Sequence, residues 1–247
     1  MEAVPTPSQQ QPIALGKAHA RRLREIYRSA GWPSQDPLEI ELLAAGLLSR
    51  ERAGTGHESL RVTDAGVQLI ANALNANRRA FSAHEALVEK VAQEMSRAGR
   101  VAWRNLSLRA QVPNDDADKP LRWCIARPDV FSIRNTSAPT YVDPIVHEVK
   151  VRRADLLSDL RNEAKRAAYL DLGECWYVLG CDARGRTIAT ADEVPPECGV
   201  MVVEGERLAV IRQAPRRARN GLPFGVWMAL AKATPLPVAE DDPQDLL

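Results

Sequence analysis

No two of the four cysteines, Cys124, Cys175, Cys181 and Cys198, stand as C-x-x-C, and none is spaced with a histidine as a zinc site requires. Neither structural zinc nor a disulfide framework is therefore expected, and the default is the reduced thiols of a cytoplasmic protein. The chain has no run approaching the ~20 apolar residues of a membrane span. Its amino terminus has no basic stretch leading into an apolar one, so no membrane partner is expected. An excess of charge is missing too: 33 Lys and Arg against 32 Asp and Glu leave +1. No global basic field draws the chain to nucleic acid, and any such contact must come from local patches. What is present is 247 residues, 45% of them hydrophobic, enough to bury the core of one large or two modest domains.

Residues 1–16, rich in Pro and Gln, read as a flexible arm. Residues 17–79 read as a small, mainly helical domain. A helix from Lys17 to Ala30 is followed by a second opening at Asp36-Pro37 and ending at Gly46. A short strand follows at Leu60-Arg61-Val62, and Thr63-Asp64-Ala65-Gly66 caps a third helix carrying Val67, Leu69, Ile70 and Leu74. This order, with His57 in the loop before the strand, is similar to a winged-helix domain. Arg21 and Arg22 on the first helix and Arg61 beside the presumed wing are its candidate phosphate contacts.

Residues 80–220 read as a second domain. Ser82-Ala83-His84-Glu85 matches a capping box opening a helix that Gly99 stops. Strands are expected at Val101 to Trp103, Leu121 to Ile133 and Ile145 to Val151, with a polar loop at Pro113 to Asp118. A long helix is expected from Arg153 to Leu172, then strands at Cys175 to Leu179, Val200 to Val203 and Leu208 to Ile211. Trp103, Trp123 and Trp176 are read as core. Residues 221–247 read as a C-terminal helix and an acidic tail.

Two short stretches carry chemistry: Arg127-Pro128-Asp129-Val130, and Glu148-Val149-Lys150 inside the apolar run Ile145 to Val151. Side chains alternate along a strand, so Glu148 and Lys150 share a face while Val149 and His147 point the other way. If the stretch ending at Asp129 pairs with this strand as a hairpin, the two carboxylates meet. Such a hard oxygen site suits Mg²⁺, which takes one or two carboxylates together with substrate phosphate, and Lys150 beside it is placed to orient a water for attack on a phosphodiester. Taken singly, Pro-Asp is a common turn and Glu-x-Lys a common solvated pair. Their position inside an apolar run, where an uncompensated charge is costly, sets them apart.

The pair resembles the PD-(D/E)XK signature of metal-dependent nucleases. The stretches EVKVRRADLLSDLR from Glu148, YLDLGECWYVLG from Tyr169 and VPPECGVMVVEGERLAVIRQAP from Val194 are similar to the MmcB family of DNA repair proteins, over roughly residues 100 to 215. The resemblance implies an α/β fold: a restriction-endonuclease-like core of helix, three strands, helix and strand, preceded by the winged-helix-like domain. It implies a Mg²⁺- or Mn²⁺-dependent nuclease hydrolysing phosphodiester bonds of DNA in repair, recombination or defence. Asp129, Glu148 and the Val149 carbonyl would hold the ion, Glu85 or Glu89 of the preceding helix would approach it, and Lys150 would act beside it. Asp155 and Asp159 fall at the family's offsets and are expected to pair with Arg152, Arg153 or Lys165. Arg152, Arg153, Arg161, Lys165 and Arg166 would form a positive rim for the DNA backbone. A homodimer or a protein partner is compatible with this reading. The alternative is a non-catalytic DNA-binding adaptor or a winged-helix transcriptional regulator that keeps the nuclease-like fold.

Overall fold

The computed structural model describes residues 14–29, 31–52, 56–114, 120–217 and 221–237. The chain divides into two compact units, Met1–Arg79 and Ala80–Leu247. The first consists of α1 (Lys17–Arg28), α2 (Pro37–Ala44), a hairpin of β1 (Leu48–Arg52) and β2 (Glu58–Val62), and the opening of α3 (Asp64–Arg97). Asp36 caps α2 by accepting the Glu39 amide at 2.9 Å, with Pro37 at the first helical position, where its missing N–H costs nothing. Leu23, Ile26, Leu42, Leu47, Leu48, Leu60 and Ile70 form the core of this unit. Strand β1 carries no apolar alternation in Ser49-Arg50-Glu51-Arg52, and its ladder with β2, Arg50 opposite Leu60, supplies the order that its side chains do not.

The Thr63-Asp64-Ala65-Gly66 cap has a specific geometry. The Thr63 hydroxyl donates to the Gly46 carbonyl at 2.8 Å and accepts the Gly66 amide at 3.2 Å. This brings α3 so close to the preceding turn that a Cβ on Gly66 would lie 2.4 Å from the Leu47 carbonyl oxygen.

The second unit is built on a mixed six-stranded sheet, giving the mixed α/β class expected. Its strands are β3 (Arg100–Arg104), β6 (Val130–Arg134), β7 (Ile145–Lys150), β8 (Glu174–Leu179), β9 (Gly199–Glu204) and β10 (Arg207–Arg212), in the spatial order β10-β9-β8-β7-β6-β3. Strand β6 runs antiparallel to both β3 and β7, while β7, β8 and β9 are parallel and β10 returns antiparallel. The crossover from β7 to β8 is made by α4 (Arg153–Leu160) and α5 (Glu163–Leu172). On one face Leu87, Val88, Val91 and Ala92 of α3 pack on Val130, Val149, Trp176 and Val178. On the other, Leu156, Ala168, Tyr169 and Leu172 pack on Phe131, Val146, Tyr177 and Leu179. A separate two-stranded sheet pairs β4 (Leu108–Val112) with β5 (Arg122–Ala126), and α6 (Phe224–Ala231) follows the main sheet.

Four expectations need correction. The helix expected to open at Ser82 is the continuation of the one before it: α3 runs 34 residues without a break, because Arg78-Arg79-Ala80-Phe81 contains no glycine or proline. Gly99, at φ +72°, follows its end. The helix expected over Arg153 to Leu172 is broken at Arg161-Asn162, where the Asn162 side chain caps α5 by accepting the Lys165 amide at 3.0 Å. The strand expected from Leu121 to Ile133 is two strands in two sheets, separated by Arg127-Pro128-Asp129, since proline brings no N–H to a ladder. Trp123, on the outward face of β5, is 58% exposed, whereas Trp103 and Trp176 are buried as expected. Residues 1–13 of the expected arm, 115–118 of the polar loop and 238–247 of the expected tail lie outside the described residues.

His147 on β7 is fully buried, and neither ring nitrogen has a partner among the described residues. Burial, with the Arg100 guanidinium adding repulsion, pushes its pKa down to about 3. The unfolded chain therefore takes up a proton near pH 6.5 that the folded chain refuses until about pH 3. Stability is intact above pH 6.5 and falls as the pH drops toward 3, by about 2–3 kcal/mol from this residue at pH 4.5. Denaturant unfolding of His147→Leu across this window should show a shallower acid loss than the parent. Replacing Gly66 by alanine forces a Cβ against backbone, and a loss of about 1–3 kcal/mol is expected in the same assay. An unchanged midpoint would contradict the close approach.

Candidate functional site

The β6–β7 register sets Val130 opposite His147, so Asp129, one residue before β6, lies beside the Glu148-Val149 step of β7. Asp129 Oδ2 accepts the Val149 amide at 2.7 Å, which replaces the ladder bond the chain loses as it turns at Pro128. In a ladder a residue's carbonyl leaves on the same edge as its N–H, so the Val149 carbonyl faces the Asp129 side. Asp129 Oδ1 takes no hydrogen bond among the described residues. From α3, His84 brings Nε2 to 3.4 Å from Asp129 Oδ2, while its Nδ1 lies 3.3 Å from Glu85 Oε1. The Asp129 hydrogen bond raises the His84 pKa against the opposing effect of partial burial, with Glu85 adding to the rise.

Glu148 emerges on the opposite face from His147, toward α4 and α5, and is only 3% exposed. Its Oε1 accepts the Lys150 ammonium at 2.5 Å and the Lys165 ammonium at 2.6 Å. Its Oε2 accepts the Tyr169 hydroxyl at 2.7 Å. Asp159, from the last turn of α4, completes the cluster. Its Oδ1 lies 2.5 Å from the Lys165 ammonium and 3.4 Å from that of Lys150, and its Oδ2 accepts the Tyr177 hydroxyl at 2.9 Å. The break between α4 and α5 makes this possible: Asp159 ends one helix and Lys165 begins the next, so that Lys165 reaches Glu148 while Asp159 meets Lys150 of the same strand.

The electrostatics are those of a buried, mutually neutralised network. Burial works against the charge of Asp159, but Lys150, Lys165 and Tyr177 outweigh it and hold the carboxyl below its ordinary range. Burial likewise opposes the charge of Lys165, and Glu148 with Asp159 more than restores it, raising its pKa. Burial pushes the Tyr169 and Tyr177 hydroxyls far up, and the adjacent Glu148 and Asp159 push in the same direction. Both tyrosines are therefore neutral donors to carboxylates.

Of the residues expected at the site, Asp129, Glu148 and Lys150 lie together. Neither helix glutamate meets the two carboxylates directly: Glu85 contacts His84, and Glu89 pairs with Arg104. The α3 side chain that reaches Asp129 is His84, expected only as part of a capping box. Asp155 is exposed on the first turn of α4 and is not part of the cluster. Lys165, expected on the rim, is inside. Arg153 pairs with Glu193 at 2.6 Å, Arg166 with Glu197 at 2.9 Å, and Arg161 is exposed at the α4–α5 break. Arg152, partly buried, precedes α4. In the first unit Arg21 pairs with Glu25 at 2.9 Å, Arg22 with Asp36 at 2.5 Å and Arg61 with Glu51 at 3.3 Å. Tyr169 and Tyr177 were not expected. The signal for Tyr169 was its place one turn after Lys165 on α5, so that both reach toward β7.

The donor set is hard: two carboxylates and a backbone carbonyl suit Mg²⁺ or Mn²⁺. Among the described residues no group of three or more His, Cys, Asp and Glu side chains is arranged to hold a metal. The ligand set expected here has only two carboxylates, completed by the Val149 carbonyl.

No family model matches the chain, and no curated protein matches it. Among solved structures, the chain is similar to the SPO1766 protein of unknown function from Silicibacter pomeroyi, at 21% identity over 57% of this chain and 77% of that one, with a TM-score of 0.37.

The Tyr169 hydroxyl is the sole uncharged side-chain donor to Glu148 among the described residues. Tyr169→Phe leaves Oε2 buried without it and is expected to cost about 1–3 kcal/mol in equilibrium unfolding. Wild-type stability in this variant would mean that water replaces the hydroxyl and that Glu148 is more accessible than its burial indicates.

Proposed function

We propose that this chain is a metal-dependent DNA nuclease of the PD-(D/E)XK type, related to the MmcB proteins, acting in repair, recombination or defence. The observation that carries this reading is the placement of Asp129 beside the Glu148-Val149 step, with Lys150 on the same face of the same strand as Glu148. Asp129, Glu148 and the Val149 carbonyl are the residues that would hold Mg²⁺ or Mn²⁺. When bound, the ion supplies Lewis-acid stabilisation of charge on the phosphodiester oxygens.

The chain's own groups do the rest. Lys150 carries an ammonium beside the carboxylates, where it orients the attacking water and donates to the charge that develops on phosphate. His84 and the Val149 amide fix Asp129 through Oδ2, leaving Oδ1 to turn toward a ligand. Tyr169 holds Glu148 in one rotamer, so that little reorganisation is needed when substrate arrives. In the first unit the two helices and hairpin support a winged-helix reading, with Arg21, Arg22 and Arg61 as phosphate contacts. Each is already paired with a carboxylate, so DNA there must exchange one anion for another.

A second reading has its own observation. Both lysines sit on the same Glu148 oxygen and Asp159 lies between them, a compensated arrangement that would also serve as a clasp in a non-catalytic DNA-binding adaptor. The two readings separate on turnover. Asp129→Asn, Glu148→Gln and Lys150→Ala are each expected to lower Mn²⁺-dependent cleavage of end-labelled DNA by about a hundredfold or more, with DNA binding retained. Undiminished cutting by these variants would sink the proposed site. DNA binding by the parent chain without cleavage in either Mg²⁺ or Mn²⁺ would favour the adaptor.

A further inference from the structure

Glu148 Oε1 carries two ammonium groups, at 2.5 and 2.6 Å, where one would compensate its charge. The two lysines are not held alike. Lys150 belongs to the same strand as Glu148, and its side chain is 12% exposed. Lys165 reaches in from the first turn of α5, and its side chain is 29% exposed. A cation in the first turn of a helix is opposed by the helix dipole, whose positive end lies there. Lys165 is therefore kept in place by Glu148 and Asp159 and against the preference of its own helix.

The charges of the cluster decide what happens when another cation arrives. Asp129, Glu148 and Asp159 against Lys150 and Lys165 leave about one negative charge, or none if His84 is protonated. A divalent cation at Asp129 and Glu148 would reverse that sign in a partly buried site, where like charges repel more strongly than in water. One resident cation must yield. Lys165 has the more exposed side chain and the unfavourable helix position, and its stem allows the ammonium to swing toward solvent.

We infer that Lys165 is a placeholder cation: it compensates Glu148 and Asp159 while the metal is absent, is displaced from Glu148 by the divalent ion, and then faces the substrate phosphate. The inference rests on the proposed metal site. Lys165 is thus a positioning residue whose ammonium competes with the ion for one carboxylate oxygen. It couples metal entry to the appearance of a mobile cation at the mouth of the site.

Calorimetric titration of MnCl₂ into the full-length chain tests this with a readout other than cleavage. Lys165→Met and Lys165→Gln, each checked for folding by circular dichroism, should bind Mn²⁺ about tenfold or more tightly than the parent, because no resident ammonium has to leave. The glutamine variant keeps an uncharged donor for Glu148 and Asp159, so the test survives if the methionine variant does not fold. Glu148→Gln should lose the binding in every background. Mn²⁺ binding by the parent with unchanged or weaker affinity in the folded Lys165 variants overturns the placeholder and leaves the metal reading standing. Absence of Mn²⁺ binding from parent and Lys165 variants alike overturns both.

Discussion

A carboxylate buried near the middle of a six-stranded sheet is the constraint around which the second unit is organised. Glu148 stands on β7 between two parallel or antiparallel neighbours, one side chain away from Val149, whose own side chain is buried in the opposite face of the sheet. A strand in that position is expected to read as a continuous apolar run, and an ionised side chain there needs compensation on every oxygen. Only Lys150 is local: Lys165 and Tyr169 come from α5, and Asp159 of α4, which shares both lysines, is itself held by Tyr177 of β8, directly opposite Glu148 in the parallel register. The α4–α5 break is part of the same solution. A single straight helix carries its residues around a cylinder, and Asp159 and Lys165, six apart, would lie on different sides of it. The break at Arg161-Asn162 brings Lys165 to both Asp159 and Glu148.

These relations explain which parts could be read from sequence. The strand bearing Glu148 and Lys150, the strand after α5 and the final hairpin are legible because apolar period and turn residues are local signals, whereas the neighbouring strand was expected as one run from Leu121 through Asp129 and begins only at Val130. Asp159 was expected to pair with Arg152, Arg153 or Lys165, and Lys165 is one of the partners it takes, although the unbroken helix expected there would have set the two on different sides. What escaped was set by tertiary context. The continuity of α3 through Ser82 hid behind a capping box that is present in the residues but is not used as a cap, because the preceding turn is already helical. His84 was expected only as part of that capping box, and the return of the chain at Pro128 is what brings the Asp129 carboxylate to it. Strand β4 was missed because it pairs with β5 alone, outside the main sheet. The exposure of Trp123 follows from the same departure.

The two faces of β7 treat their polar residues in opposite ways. Toward α4 and α5 the ionised groups keep their charge because each is given a partner of opposite sign. Toward α3, His147 is given none, and it keeps its place by staying neutral. Adjacent residues of one strand thus meet the cost of burial by pairing in one case and by proton loss in the other, and only the first arrangement leaves charge available for chemistry.

Stability alone is a poor account of the paired side. A buried ion-pair network used only as a clasp can be replaced by apolar side chains of similar volume with little loss, and a sheet rich in Val offers the surroundings for that. The network is also uneven. Both oxygens of Glu148 and both of Asp159 are engaged by lysine or tyrosine. Asp129, next to them, turns one oxygen to a backbone amide and an imidazole and has no hydrogen bond to the other among the described residues. A clasp closes all its valences within the fold. A cluster that closes every one but that of Asp129, beside a carbonyl edge and a carboxylate shared by two ammonium groups, accords better with the proposed metal site than with a clasp.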